Sequence, residues 1–257
     1  MLEHVDLTIR RGEVVAVVGA SGCGKSVFMH ILIGLMDVDA GRIEIANHAL
    51  EETPLQDIGD LDDHSMDQIR RHWAVVFQRN ALVSGTVADN LSLWLREVDG
   101  IPEPEIEART IAALRAVGLD PDEVMHRDRD KLSGGMAKRV AVARAIARQP
   151  ALFFYDEPTT GLDPEHARQI HGLIRTTHED DQVPVARTTL IIKHDKDLLY
   201  RLRPRIAMLH EGRIFFDGSY EAFSESDSPV IRPYFDLMPV LHQRSIPVFD
   251  DQSDSDS

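Results

Sequence analysis

The chain has 257 residues, enough for one substantial globular domain with its own core. Its 28 Lys and Arg against 43 Asp and Glu leave a net charge of −15, which argues against a general nucleic-acid binder, whose footprint is a basic face. One cysteine, Cys23, excludes an internal disulfide and points to a reducing compartment. No apolar run approaches the ~20 residues of a membrane helix. Glu3, His4, Asp6 and Arg10 interrupt the N-terminus, so no signal peptide is read there, and any membrane link is expected through a partner.

In chain order, residues 14–18 form a short, continuous Val-rich run ended by Gly19, the pattern of a strand buried on both faces. A helix is predicted over 25–35. Strands are predicted over 42–46 and 73–77, and the acidic stretch 51–72 between them is read as loop with a short helix near 66–71. From Thr86 to about Arg148 the pattern is helical: 103–117 is amphipathic and stops at Gly118, and 135–148 is rich in Ala and Arg. Strands return at 151–155 and 188–192, and 205–209 with 213–216 flank Glu211-Gly212 as a hairpin. Strands alternating with helices imply an α/β chain with a parallel core sheet, into which a helical subdomain (about 80–150) is inserted. One domain is expected over 1–240. Residues 241–257 are a C-terminal extension whose tail, rich in Asp and Ser with no apolar residue after Phe249, is expected to be disordered.

Gly19-Ala20-Ser21-Gly22-Cys23-Gly24-Lys25-Ser26 matches G-x-x-x-x-G-K-[ST], between a buried strand and a helix. The glycines let backbone N–H groups converge on phosphate oxygens, and the following helix points its positive end at them. Lys25 is expected to reach the β- and γ-phosphates of a nucleotide, and the Ser26 hydroxyl to ligate Mg²⁺. Val27 stands where many such loops carry a second hydroxyl, at a loss of ~1 kcal/mol. Cys23 reads as the filler of a small-residue slot, with a redox switch as the competing reading.

Ala151-Leu152-Phe153-Phe154-Tyr155-Asp156-Glu157 is an apolar strand ending in two acids. A parallel strand carries Asp156 to its C-terminal edge beside the phosphate loop, to hold Mg²⁺, with Glu157 orienting and deprotonating an attacking water. The competing reading, two acids capping a helix, is disfavoured by the apolar lead-in and Pro158. Leu132-Ser133-Gly134-Gly135-Met136 opens the Ala- and Arg-rich helix with a second anion-binding nest.

Leu132-Ser133-Gly134-Gly135, the Ala/Arg run after it and the stretch Tyr155-Asp156-Glu157-Pro158-Thr159-Thr160-Gly161-Leu162-Asp163-Pro164 resemble the ABC ATPases, from Leu2 to about Phe235. The resemblance implies a P-loop NTPase fold with a small antiparallel β part. It implies a homodimer bound head to tail, with each ATP between one phosphate loop and the partner's Ser133, Gly134 and Gly135. By the same resemblance Gln78 senses Mg²⁺ and the attacking water and links to a membrane partner, Asp163 belongs to the loop crossing the dimer interface, and His194 contacts the γ-phosphate. One departure is plain: no Phe, Tyr or Trp precedes Phe28 to stack adenine, and His4 is the only ring there. Either the start is truncated or adenine is held less tightly.

The finer resemblance is to the Mla- and Mkl-type ATPases of lipid transport with Mce-domain proteins. It is carried by residues 81–83, Asn90-Leu91, Leu95-Arg96-Glu97, 132–139, 205–212 and 227–232. It implies an integral-membrane permease dimer, an Mce-domain lipid-binding partner and a phospholipid cargo, with no nucleic acid. An amino acid, a metal or lipoprotein release are alternative cargoes, and a soluble ABC ATPase acting on DNA or ribosomes is the alternative outside transport. Leu91, Leu93, Trp94 and Leu95 are expected either to line a groove for a permease helix or to pack inside the helical subdomain. Residues 229–249 are expected either to wrap a second subunit or to form a loose tail.

Overall fold

Four valines and one alanine give β1 (Val14–Val18) its form, since branched side chains favour the pleated backbone, and all but Val14 are buried. The computed structural model describes residues 2–50, 52–79, 81–179, 186–192 and 195–240. The expectations for His194 and for 241–257 therefore lie outside the described residues.

After β1 come α1 (Lys25–Leu32), β2 (Glu44–Ala46), β3 (Leu55–Asp57), α2 (Asp63–Arg70) and β4 (Trp73–Val76). A helical layer follows: α3 (Val87–Glu97), α4 (Glu103–Ala116), α5 (Pro121–Val124) and α6 (Gly134–Ala147). The chain then runs through β5 (Leu152–Asp156), α7 (Pro164–His178), β6 (Thr188–Ile192), α8 (Lys196–Leu202), β7 (Arg205–His210), β8 (Arg213–Gly218), α9 (Tyr220–Ser224) and α10 (Ile231–Leu237).

One sheet has the order β4-β5-β6-β1-β7-β8, and β2 with β3 forms a separate antiparallel pair. The first five strands of that order pair in parallel, and β8 closes the edge antiparallel to β7. Glu211 and Gly212, at φ 48 and 78, make the hairpin turn, because two left-handed residues match the twist of the strands. Alternate strand residues feed opposite faces. Phe153 and Tyr155 join the core under α3, α4, α6 and α7, while Phe154, Val15 and Val17 join the core under α1 and α2. A third cluster, around Phe223, Ile231 and Met238, seats α9 and α10 on β1 and β7.

The helix ends follow local chemistry. Asp62 caps α2 by accepting from Ser65 N–H at 2.8 Å, and Thr86 with Asp89 forms a capping box on α3. Gly34 and Gly118, both at φ 68, follow α1 and α4 and allow the backbone to turn out of the helix. Arg148 forks onto Asp99, with both contacts at 3.0 Å, and also donates to the Arg71 carbonyl, fastening the helical layer to the start of β4.

Three expectations are corrected. Residues 55–57, read as loop, form β3; the pairing of Ile45 with Gln56 is a long-range bond that local polarity does not signal. The first helix stops at Leu32 rather than 35, and the short helix near 66–71 begins at Asp63 because Asp62 caps it. The apolar run in α3 divides: Leu91 and Leu95 are buried in the helical layer, whereas Leu93 and Trp94 are exposed. The packing reading holds for Leu91 and Leu95, and the helical period turns Leu93 and Trp94 to the surface. Through residue 240 the C-terminal segment packs on its own chain, with Ile231 and Met238 buried. Leu114, fully buried in the helical layer, predicts the scale of that packing: Leu114→Ala is expected to cost about 2–5 kcal/mol in denaturant unfolding.

Candidate functional site

Parallel pairing carries the C-terminal ends of β4, β5, β6 and β1 to one edge, where ligands of open α/β sheets bind. Register makes this concrete: Val17 and Asp156 both pair with Ile192, and Tyr155 pairs with Val76. That edge receives Gly19 from β1, Phe77 and Gln78 from β4 and Asp156-Glu157 from β5. His194, two residues past β6, is not described.

Gly19, at φ 151, leaves β1 where a Cβ would collide with the Leu209 carbonyl and sit 2.6 Å from Cys23 Sγ. Only glycine fits there. Gly22 and Gly24 take φ 79 and 105, and a Cβ at Gly22 would meet open space, so its glycine serves the backbone conformation. Ala20 and Ser21 are exposed on the loop. Ser26 is exposed on the first turn of α1, beside half-buried Val27. The Lys25 ammonium donates to the carbonyls of Gly19 and Ala20 at 2.8 and 2.9 Å, and Cys23 Sγ lies 4.0 Å from it. Cys23 is half-buried beside Gly19 and packs with the core under α1, which suits the small-residue reading.

Asp156 is buried at the end of β5. Burial, followed by the adjacent Glu157, pushes its pKa up, and His30, Lys138 and Lys25 oppose the rise. Glu157 is also buried and has φ 49, a left-handed conformation that costs a non-glycine residue about 1–3 kcal/mol. Its N–H extends the ladder to the Ile192 carbonyl at 3.0 Å, and its carboxylate accepts from Thr160 Oγ1 at 3.0 Å. The turn between β5 and α7 thus fixes its backbone against β6 and its carboxylate against Thr160. A hydroxyl (Ser26), one carboxylate (Asp156) and a glycine cradle for phosphates suit Mg²⁺, which keeps water and takes few protein ligands. No cluster of three or more metal-ligating side chains occurs among the described residues, and such a site does not need one.

Lys138 is the residue whose role the sequence reading missed. It lies 2% exposed in α6 and donates to the carbonyls of Phe77 and Gln78 at 2.9 and 3.0 Å. A buried ammonium ties the helix behind Ser133 to the segment that carries Gln78, whose side chain is exposed. The available signal was a lysine inside an Ala/Val helix, on the side that packs inward.

Ser133 caps α6, accepting from Met136 N–H at 3.2 Å, and Ser133 and Gly134 are exposed. A Cβ on Gly135 would meet the His166 ring at 2.8 Å, so the glycine lets α6 approach α7. Asp163 caps α7 by accepting from Glu165 and His166 N–H, both at 3.0 Å, and pairs with the His166 ring. Those His166 bonds hold its carboxyl below its ordinary pKa. Within this chain Ser133-Gly134-Gly135, the family's signature stretch, lies at the start of α6, and no described contact joins it to the phosphate-loop edge. Beyond β6, buried Asp195 caps α8 through Leu198 N–H at 2.8 Å, accepts from Thr159 Oγ1 at 3.5 Å and lies 3.8 Å from His171 Nε2. The residue after His194 is thereby linked to the turn that carries Glu157.

Two predictions follow from this geometry. Between pH 3.8 and its raised folded pKa, Asp156 binds protons more in the folded than in the unfolded chain, so this group's contribution to stability falls as pH rises through that window. Asp156→Asn should therefore melt higher than the parent near pH 7 in nucleotide-free buffer, in thermal scans across that range. Lys138→Met leaves two carbonyls without their charged donor and should cost about 2–3 kcal/mol in denaturant titration.

The family model described as ABC transporter matches residues 2–160. The methionine import ATP-binding protein MetN of Nocardia farcinica is 34% identical over 249 residues, covering 96% of this chain and 70% of that protein. MetN of Brucella abortus is 34% identical over 239 residues, covering 92% of this chain and 61% of that protein. The chain thus spans only about 60 to 70% of the length of these relatives. Among solved structures, the dimeric post-hydrolysis state of the ATP-binding cassette MJ0796 bound to ADP and Pi superposes with a TM-score of 0.72 at 29% identity, covering 85% of this chain and 90% of that one. The structure of cbiO1 from Clostridium perfringens, part of the ABC transporter complex cbiONQ, gives 0.71 at 28% identity, covering 87% and 84%. The chain belongs to the ABC transporter family and carries its ATP-binding, ATPase domain.

Proposed function

We propose that the chain is the ATP-hydrolysing subunit of an ABC transporter, working as a head-to-tail homodimer beneath integral-membrane permease subunits, peripheral on the inner face of the cell membrane. The observation that carries the reading is the shared edge of β1, β4 and β5, with the glycine loop, Gln78 and the Asp156-Glu157 pair on it. No described helix is long and apolar enough to cross a membrane, so a permease contact suits the exposed Leu93 and Trp94. The solved MJ0796 cassette is dimeric, which supports the pairing. Exposed Ser133 and Gly134 at the N-terminus of α6 offer N–H groups to a partner's nucleotide.

In this reading residues 19–27 cradle the phosphates, Lys25 leaves the loop carbonyls for the β- and γ-phosphates, and Ser133, Gly134, Gly135 and Asp163 meet the partner's ATP. Ser26 and Asp156 hold Mg²⁺, with Gln78 facing it; the ion neutralises phosphate charge. Glu157, held by its turn, takes the proton of the attacking water, and His194 contacts the γ-phosphate. Closure of the dimer does the mechanical step, and hydrolysis resets it.

For cargo, the amino-acid reading is favoured, methionine first, because relatives matching 92 to 96% of this chain carry that cargo in their names. They correct the emphasis of the sequence resemblance, which pointed to phospholipid, and they lend no support to an Mce-domain partner. The lipid reading rests on the resemblance of residues 81–83, 90–91, 95–97, 132–139, 205–212 and 227–232 alone.

Glu157→Gln is expected to lower ATP turnover by at least about 100-fold and to elute as an ATP-dependent dimer in size-exclusion chromatography. Turnover at the parent rate removes Glu157 as the base. Isolation of the native complex from membranes, with ATPase activity measured against methionine and phospholipid vesicles, separates the cargoes. Stimulation by methionine supports the favoured reading, and stimulation by vesicles alone overturns it.

A further inference from the structure

Residue Tyr234 lies on α10, outside every motif considered above. Its hydroxyl accepts from Gly19 N–H at 2.9 Å and donates to the Gly19 carbonyl at 3.2 Å. One atom thus bridges the two backbone groups of a single residue, 215 positions away in sequence. Such a bridge restrains both dihedrals of a glycine, the residue with most freedom to lose. The same carbonyl receives the Lys25 ammonium at 2.8 Å, so Tyr234 supports the oxygen that Lys25 must leave to reach a phosphate.

Tyr234 is itself held. Its ring meets Phe223 edge-on at 6.5 Å, and Phe223 is fully buried. Buried Ile231 and Met238 anchor the two ends of α10. The Lys196 ammonium lies 4.7 Å over the Phe235 ring and donates to the Asp236 carbonyl at 3.2 Å, while Lys196 N–H donates to the Pro239 carbonyl at 3.1 Å. Residues 231–239 therefore clip the first glycine of the phosphate loop to the first turn of α8. Burial, with the nearby Cys23 and Glu157, raises the hydroxyl's pKa against the lowering effect of its Gly19 bond, so it stays protonated and able to donate.

We propose that Tyr234 is a positioning residue for nucleotide binding, its hydroxyl holding Gly19 in the phosphate-binding conformation so that affinity for ATP depends on α10 being docked. The inference rests on the reading of residues 19–26 as the phosphate site. Pre-ordering one glycine and satisfying its two backbone groups corresponds to about a fivefold to tenfold change in affinity.

The test is calorimetric titration of the full chain with Mg-ATP, alongside thermal melting without nucleotide. Tyr234→Phe removes both Gly19 bonds and keeps the ring. It is expected to weaken ATP about fivefold to tenfold. Leu114→Ala, remote from the loop, is expected to melt lower yet bind within about twofold of the parent. Lys25→Ala is expected to lose binding. Parent-like affinity in Tyr234→Phe, with binding lost in Lys25→Ala, overturns the role of Tyr234 alone. An equal loss of affinity in Tyr234→Phe and Leu114→Ala reduces that role to general stability and overturns it as well. Parent-like binding by Lys25→Ala overturns the phosphate-loop reading on which the inference stands.

Discussion

Everything at the candidate site depends on parallel pairing of β1, β4, β5 and β6. Parallel strands end on the same edge, so segments far apart in sequence arrive together without long loops. The pairing is stabilised by burial on both faces, since successive residues of β5 enter different cores. A one-residue slip of β5 would exchange Phe153 and Phe154 between the cores and turn Asp156 away from its place beside the loop. The hydrophobic register of the strand and the position of the acid are therefore one constraint.

On that edge, strain and charge are concentrated in a few places. Glu157 holds a left-handed backbone, Gly19 accepts no side chain, and the Asp156 carboxyl sits where burial disfavours its charge. The left-handed Glu157 and the buried Asp156 carboxyl are each unfavourable for folding alone, and in the proposed site phosphates and a cation would make use of them. Lys138 has the complementary part. Its buried charge acts on Asp156 and is satisfied by the carbonyls of Phe77 and Gln78, which ties α6 to the segment that carries Gln78.

Much of this was legible in the sequence because the signals were local. A Val-rich run ended by glycine, two acids after an apolar strand, and a Ser-Gly-Gly helix start each carry their physics within about ten residues. The position of Asp156 beside the loop followed from strand–helix alternation, whereas Gln78 came from the family resemblance. What escaped was non-local. β3 exists by pairing with β2, the inward turn of Lys138 is set by a carbonyl 61 residues away, and Tyr234 reaches Gly19 across nearly the whole chain. The helix α7 had a readable start, Asp163 followed by Pro164, but Asp163 had been read for its resemblance and not as a cap. Cargo escaped for a different reason: in the proposed transporter its contacts would lie in other subunits.

In the proposed dimer one nucleotide is shared between the sheet edge of one protomer and the α6 N-terminus of its partner. Amide hydrogen exchange of this chain, with and without Mg-ATP, tests that sharing. Protection of residues 19–27 is expected at all protein concentrations, and protection of 133–136 is expected to grow as dimer forms. Protection of 19–27 with 133–136 unchanged in an ATP-bound dimer would contradict the shared site.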